Sequence, residues 1–154
     1  MKVFHFYPTG LAKKVLEEWN FDCICFSSAY TAFYNLHFNC ISAPVKHHYI
    51  SIKIDRKDEV NYGYYNYEDE IVLCSKVIEC KDDKKCQKQL FISILHEMMH
   101  WNQYNVMKWD EKDIAPQEKY FSSPAEKMCR KYEKQVKYVM QLYKTMLKIP
   151  VGGY

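Results

Sequence analysis

The chain has 154 residues, 48% of them apolar and 27% charged, which suits a globular domain with a real core and excludes a disordered or fibrous chain. A formal net charge of +3 demands no nucleic-acid partner. No apolar run approaches membrane-spanning length, and Met1–Phe6 is too short and polar for a signal peptide, so the expectation is a soluble, intracellular protein with no membrane association.

In chain order, Thr9–Asn20 reads as a first helix, capped by Thr9, with Leu11, Val15, Leu16 and Trp19 on its apolar face. A second helix runs from Ser27 or Ser28 to Asn39, where Tyr30, Phe33, Tyr34 and His37 are spaced to pack, and Pro44 ends it. Tyr49–Ile54 alternates, with Ile50, Ile52 and Ile54 on one side, and predicts a strand. Tyr62–Tyr67 is aromatic and turn-like, and the first half of Glu70–Ile78 predicts another strand. A long helix follows, on which Leu90, Phe91, Ile94, Leu95 and Met98 form one apolar face of a 3.6-residue period. Lys108–Tyr120 is polar and reads as loop, its charges Asp110, Glu111, Asp113 and Glu118 as solvated. Ser123-Pro124 then opens a last amphipathic helix with a seam of Ala125, Cys129, Tyr132, Val136, Val139, Met140, Tyr143 and Leu147, closed by the residues 150–153.

The fold class predicted is α+β, as one domain over 1–154. It comprises a helical N-terminal part (1–45), a small, mostly antiparallel sheet (46–80), a central helix (81–107) and a C-terminal helix (122–149). The seven cysteines contain no C-x-x-C pair, and most read as reduced, buried, small apolar residues. A Cys80–Cys86 or Cys25–Cys40 disulfide would be expected only of a hyperthermophilic or exported protein, and a second zinc site held by cysteines is disfavoured by the spacings.

The chemistry concentrates in His96-Glu97-Met98-Met99-His100. Histidines four apart on a helix share a face, with about 5–6 Å between Cβ atoms, so both can reach one zinc ion. The intervening glutamate can take a proton from water activated by that metal. The bland alternative is a pair of solvated or hydrogen-bonded histidines; inside so strong a helix, metal binding is the better reading. A catalytic zinc takes three protein ligands. No histidine follows His100, and Val106 stands where metzincins carry their third histidine, so the third ligand is a downstream carboxylate or one of His5, His37, His47 and His48. Glu126 is the favoured candidate, although Ser123-Pro124-Ala125-Glu126 also fits a capping box in which its carboxylate serves the helix terminus. Glu133 is the second candidate ligand, or else a residue that orients a histidine from behind.

A His-Glu-x-x-His helix, a loop and a helix bearing Glu resemble the gluzincin branch of the zincin-like metallopeptidases. The segment Ser123–Cys129 resembles one found in small single-domain members of phages and mobile elements, including the ImmA/IrrE-like group, with Cys129 where those usually carry Ala. The resemblance covers about Tyr62–Tyr138 and excludes the thermolysin-like pattern; nothing in the first 60 residues contributes to it. It implies a minimal zincin-like fold in which an edge strand near Glu70–Cys74 binds an extended peptide or protein substrate by strand addition. It also implies a zinc peptidase, intracellular or viral and narrow in specificity. Its zinc would be held by His96, His100 and Glu126, with Glu97 as general base and an oxyanion donor drawn from Tyr104, Tyr120 or Tyr132. Two other readings compete. One is a zinc-binding structural or interaction module, which would have no use for Glu97. The other is a DNA-associated protein using Lys127, Arg130, Lys131, Lys134, Lys137, Lys144 and Lys148; nucleic acid is possible on this run but not favoured, since such a run is usually a solvated helix face.

Overall fold

The computed structural model describes residues 1–41, 44–79, 83–116 and 120–149, so Cys80, Glu118 and the chain ending at 150–153 lie outside the described residues. The chain is α+β and divides into two compact units, one of residues 1–53 with 137–154 and one of 54–136. No described helix is long and apolar enough to cross a membrane.

The first unit begins with a strand not expected from the sequence, β1 (Lys2–Pro8). Its signal was present as alternation: Phe4 and Phe6 are buried while Val3, His5 and Tyr7 are not. Helices α1 (Leu11–Glu18) and α2 (Cys23–His37) follow. The predicted Thr9 cap does not form; Gly10, in the left-handed region at φ 56°, precedes α1 without a side-chain cap. Asp22 instead caps α2, accepting from the Cys25 N–H. The chain returns as β2 (Lys46–Asp55), whose last two residues belong to the second unit. β2 pairs in parallel with β1, in the register Phe4 with His48 and Phe6 with Ile50.

This parallel pair is why the sheet is not mostly antiparallel and why residues 1–45 are not purely helical. Two helices fill the crossover that parallel strands require. α2 also satisfies one edge of β1. Ser27, Thr31 and Asn35, four apart and therefore on one helix face, accept from the backbone N–H groups of Phe6, Phe4 and Lys2 at 2.8–2.9 Å. Beneath them Phe4, Phe6, Phe26 and Tyr30 meet edge to face, with centroids 5.1–5.4 Å apart across the strand–helix contact.

In the second unit β3 (Gly63–Tyr65) and β4 (Glu70–Cys74) form an antiparallel pair. The strand order ends on β3, which is paired with Glu70–Cys74, so that segment lies next to the edge. A Cβ on Gly63 would stand 2.7 Å from the Val72 carbonyl oxygen, so this register needs glycine there. After the short helix α3 (Ser75–Ile78) comes α4 (Asp83–Asn105), the predicted central helix. From Leu90 to Gln103 almost every residue of α4 is buried, polar ones included, so it is the axis of this unit rather than a one-faced surface helix. The segment read as loop holds a short helix, α5 (Glu111–Ile114), capped by Asp110 and anchored by buried Ile114. A 3-10 turn at Tyr120–Ser122 leads into α6 (Pro124–Glu133).

The predicted C-terminal helix is two helices. α6 ends at a turn through Lys134 and Gln135, and α7 (Val136–Leu147) follows. The apolar seam crosses the break without a change of period, so nothing in the local pattern signals it. The two halves belong to different cores: α6 packs on α4, whereas α7 belongs to the first unit, where Tyr143 stacks on Phe21.

Cys23, Cys25, Cys40, Cys74 and Cys129 are free, in line with the expectation that most thiols are reduced, so Cys25–Cys40 is not a disulfide; Cys86 is disulfide-bonded.

Candidate metal centre

α4 and α6 lie against each other within the second unit and each contributes a pair of side chains to one spot. Spacing of four on α4 puts His96 and His100 on one face, with ring centroids 5.0 Å apart. Spacing of three on α6 does the same for Glu126 and Cys129. These four are the group that could hold a metal ion among the described residues: one ligand atom from each lies within 4.8 Å of all the others.

Glu126 sits there because its helix begins there. Ser123 caps α6 by accepting from the Glu126 N–H at 3.2 Å, with Pro124 in the first turn, as the sequence predicts. The Glu126 carboxylate does not reciprocate the cap. It turns to the histidines, with Oε2 2.8 Å from His96 Nε2 and Oε1 3.7 Å from His100 Nε2. These separations bracket the roughly 3.3 Å between two ligands held at 2.0–2.1 Å in a tetrahedron. Oε2 is buried, and despite the 2.8 Å approach it accepts no hydrogen bond. A buried carboxylate oxygen without a donor is costly, and a cation between it and the imidazoles would remove that cost. The site therefore fits a metal ion by its donor set and by this orphaned oxygen.

The outer nitrogens of both rings are occupied. Glu133 Oε1 lies 2.5 Å from His96 Nδ1. A carboxylate oxygen accepts, so Nδ1 carries the proton and Nε2 faces Glu126. Glu133 thus stands behind the histidine, in the second of the roles foreseen for it. His100 is held by Gln103, which the sequence reading missed. The Gln103 amide donates from Nε2 to the Ala125 carbonyl at 3.0 Å, which fixes Oε1 toward His100 Nδ1, also at 3.0 Å. His100 Nδ1 therefore donates, and its Nε2 presents a lone pair toward Glu126. Gln103 is three residues beyond His100, so helical spacing was the available signal, but a glutamine carries no motif of its own.

Cys129 Sγ is fully buried, 3.6 Å from both His100 Nδ1 and His100 Nε2. Equal distances to the two nitrogens put the sulfur over the face of the ring. Burial, reinforced by the Glu126 carboxylate, pushes its pKa far up, so it is a thiol.

Charge in the cluster is balanced by contact. Burial works against a charged His96, but in the metal-free chain the carboxylates of Glu126 and Glu133 outweigh it and raise its pKa to about 10, so a metal would take the place of a proton on Nε2. Burial likewise opposes ionisation of Glu126, and the adjoining imidazoles of His100 and His96, with help from Tyr120, hold it well below the usual carboxylate range. Glu97 is buried, with Oε1 4.0 Å from His96 Nε2. Desolvation raises its pKa, the two imidazoles oppose that rise, and the Tyr65 backbone N–H hydrogen-bonds the carboxylate. β3 is thereby tied to the motif glutamate, and Asn105 donates to the Tyr65 hydroxyl at 3.0 Å.

Of the three candidate tyrosines, Tyr120 adjoins the cluster. Burial and its hydrogen bond to Glu126 push its phenol pKa up. Tyr104 packs edge to face on Tyr67 at 4.9 Å, and Tyr132 is a core residue. The upstream histidines are elsewhere: His5 and His47 pair with each other at 2.8 Å, His48 packs on Phe4, and His37 packs on Phe33. Asp110 caps α5.

No protein-family model matches the chain, and comparisons with curated proteins and with solved structures find no match.

Proposed function

We propose that this chain is a zinc-dependent peptidase whose metal is held by His96, His100 and Glu126 and whose general base is Glu97. The observation that carries the reading is the convergence of two histidine Nε2 atoms, each with its Nδ1 engaged from behind, on the two oxygens of one buried carboxylate, of which Oε2 accepts no hydrogen bond. Zinc is the metal suited to such a nitrogen and oxygen set, and when bound it supplies Lewis acidity toward water and a carbonyl oxygen.

The chain's own residues supply the rest. Glu97, beside the ligands but not among them, accepts a proton from water and returns it to the leaving amine. Desolvation favours this, since a buried carboxylate binds a proton more readily than an exposed one. Tyr120 offers a hydroxyl at the cluster as a donor to the developing oxyanion. β3 would bind the substrate. The bonds from Cys74 N–H to Tyr62 O and from Asn66 N–H to Glu70 O set the alternation of the ladder, so Tyr64 faces β4 and the backbone of Gly63 faces away from it. An extended peptide added on that side would run beside Glu97.

Glu97 also separates this reading from a structural zinc module, which needs the ligands and not the base. The basic run considered for DNA binding is divided between α6 and α7, and no feature of the site calls on it. The test is Glu97→Gln: the variant keeps its zinc and loses hydrolysis of an unfolded protein or mixed peptide pool, followed by mass spectrometry. Cleavage at the wild-type rate by that variant would refute the proposed mechanism.

A further inference from the structure

The proposed site has three ligands, yet four metal-ligating side chains meet there. Cys129 is fully buried and shares the inner face of α6 with Glu126. Each helix thus contributes two donors, His96 and His100 from α4, Glu126 and Cys129 from α6. A sulfur at about 2.3 Å and a nitrogen at about 2.0–2.1 Å from one tetrahedral ion stand about 3.5 Å apart. Cys129 Sγ already stands 3.6 Å from His100 Nε2, but over the ring face and equally far from Nδ1, so it is near the site without yet being in a ligand position. A second observation points to the same spot: Glu126, only 2% exposed, directs into it a carboxylate oxygen that accepts no hydrogen bond.

We propose that Cys129 is a fourth, displaceable ligand, which closes the resting site with two histidines, a glutamate and a cysteine and must leave it before a substrate is processed. The inference rests on the His96, His100 and Glu126 assignment and adds to it a regulated state. On metal uptake the Cys129 thiol loses its proton to solvent, and the sulfur, now over the face of His100, turns about the Cα–Cβ bond to the ion. One torsion suffices because the side chain has only one. Four protein ligands leave no position for water, which is the arrangement of structural zinc sites; three leave one open, as catalysis needs. A thiolate held on one short, rotatable arm can make the site either. The chain would then bind its metal tightly while resting and act only when a peptide competes the sulfur away.

Cobalt(II) reads the ligand set without any need for turnover. The full chain, freed of metal and titrated with Co2+, should show visible d–d bands of a four-coordinate ion together with a near-ultraviolet thiolate-to-cobalt charge-transfer band. Cys129→Ala should lose the charge-transfer band and keep visible bands, and Cys129→Ser should do the same if the alanine variant folds poorly. Cys40→Ala, in the other unit, should keep both. Peptide hydrolysis by zinc-loaded Cys129→Ala should exceed that of wild type, because no sulfur then has to be displaced. Visible bands without the charge-transfer band in wild type would overturn the fourth ligand and leave the three-ligand site standing. No cobalt bands of either kind would overturn both.

Discussion

Replacing Gln103 with leucine, close in volume, removes the hydrogen bonds to His100 and Ala125, and a long one to Cys129 Sγ, from a residue that is 0% exposed. The His100 Nδ1 proton loses its acceptor at 3.0 Å, and the Ala125 carbonyl loses its donor at 3.0 Å. Each buried group left unpaired costs about 1–3 kcal/mol, so stability should fall by about 2–6 kcal/mol. That is a large share of the roughly 5–15 kcal/mol typical of a domain. The second effect falls on the metal. Without Gln103 the tautomer and orientation of His100 are no longer fixed, and outer-shell losses of this kind weaken metal binding about 10–100-fold. Urea denaturation of the metal-free protein measures the first effect, and competition with a chromophoric zinc chelator measures the second. Gln103→Glu separates them: its carboxylate still accepts from His100 and keeps the affinity, but cannot donate to Ala125 and loses stability. A zinc affinity for Gln103→Leu within about twofold of wild type would show that Gln103 does not orient the ligand.

Other consequences follow from the same contacts. Glu133→Ala should keep one zinc per chain but bind it about 10–100-fold more weakly, measured by the same competition, because His96 Nδ1 loses its acceptor. Ser123→Ala should cost about 1 kcal/mol in urea denaturation through the lost helix cap, and should lower zinc affinity as well, because the cap places Glu126. Asn35→Leu should destabilise the fold by about 1–3 kcal/mol, since Asn35 accepts from the Lys2 N–H and donates to the Lys2 carbonyl. Burial raises the pKa values of Cys23, Tyr65 and Cys74 to about 12, from ordinary values of 9.0, 10.0 and 9.0. A group whose folded pKa is raised holds its proton longer than the unfolded chain does. These groups therefore favour the fold fully below about pH 9 and progressively less as pH rises toward 12. Denaturation midpoints should fall across that window, and an unchanged midpoint would contradict the shifts.

Much of the site could be read from local spacing. His96, Glu97 and His100 follow from a helical period, and the Ser123-Pro124 cap pattern by itself places Glu126 at a helix start. What spacing could not decide was where the Glu126 carboxylate points, because cap and ligand require the same residue at the same position. The packing of α6 on α4 decides it, and that is a long-range property. Gln103 and Glu133 were hard to assign for a related reason: their roles exist only once Ala125 and His96 are brought to them. In the fold, β1 was overlooked although Phe4 and Phe6 alternate with less buried neighbours, because parallel pairing leaves no hairpin turn beside it. The break at Lys134–Gln135 has no local cause and follows from α6 and α7 serving different cores.

Zinc per chain, measured by elemental analysis on purified wild type, His100→Ala and Glu126→Ala, tests the central claim most directly. The account predicts about one zinc in wild type, its loss in His100→Ala and clear weakening in Glu126→Ala. No zinc in wild type, even after refolding with the metal, would contradict the account, and full zinc in Glu126→Ala would remove that glutamate from the site.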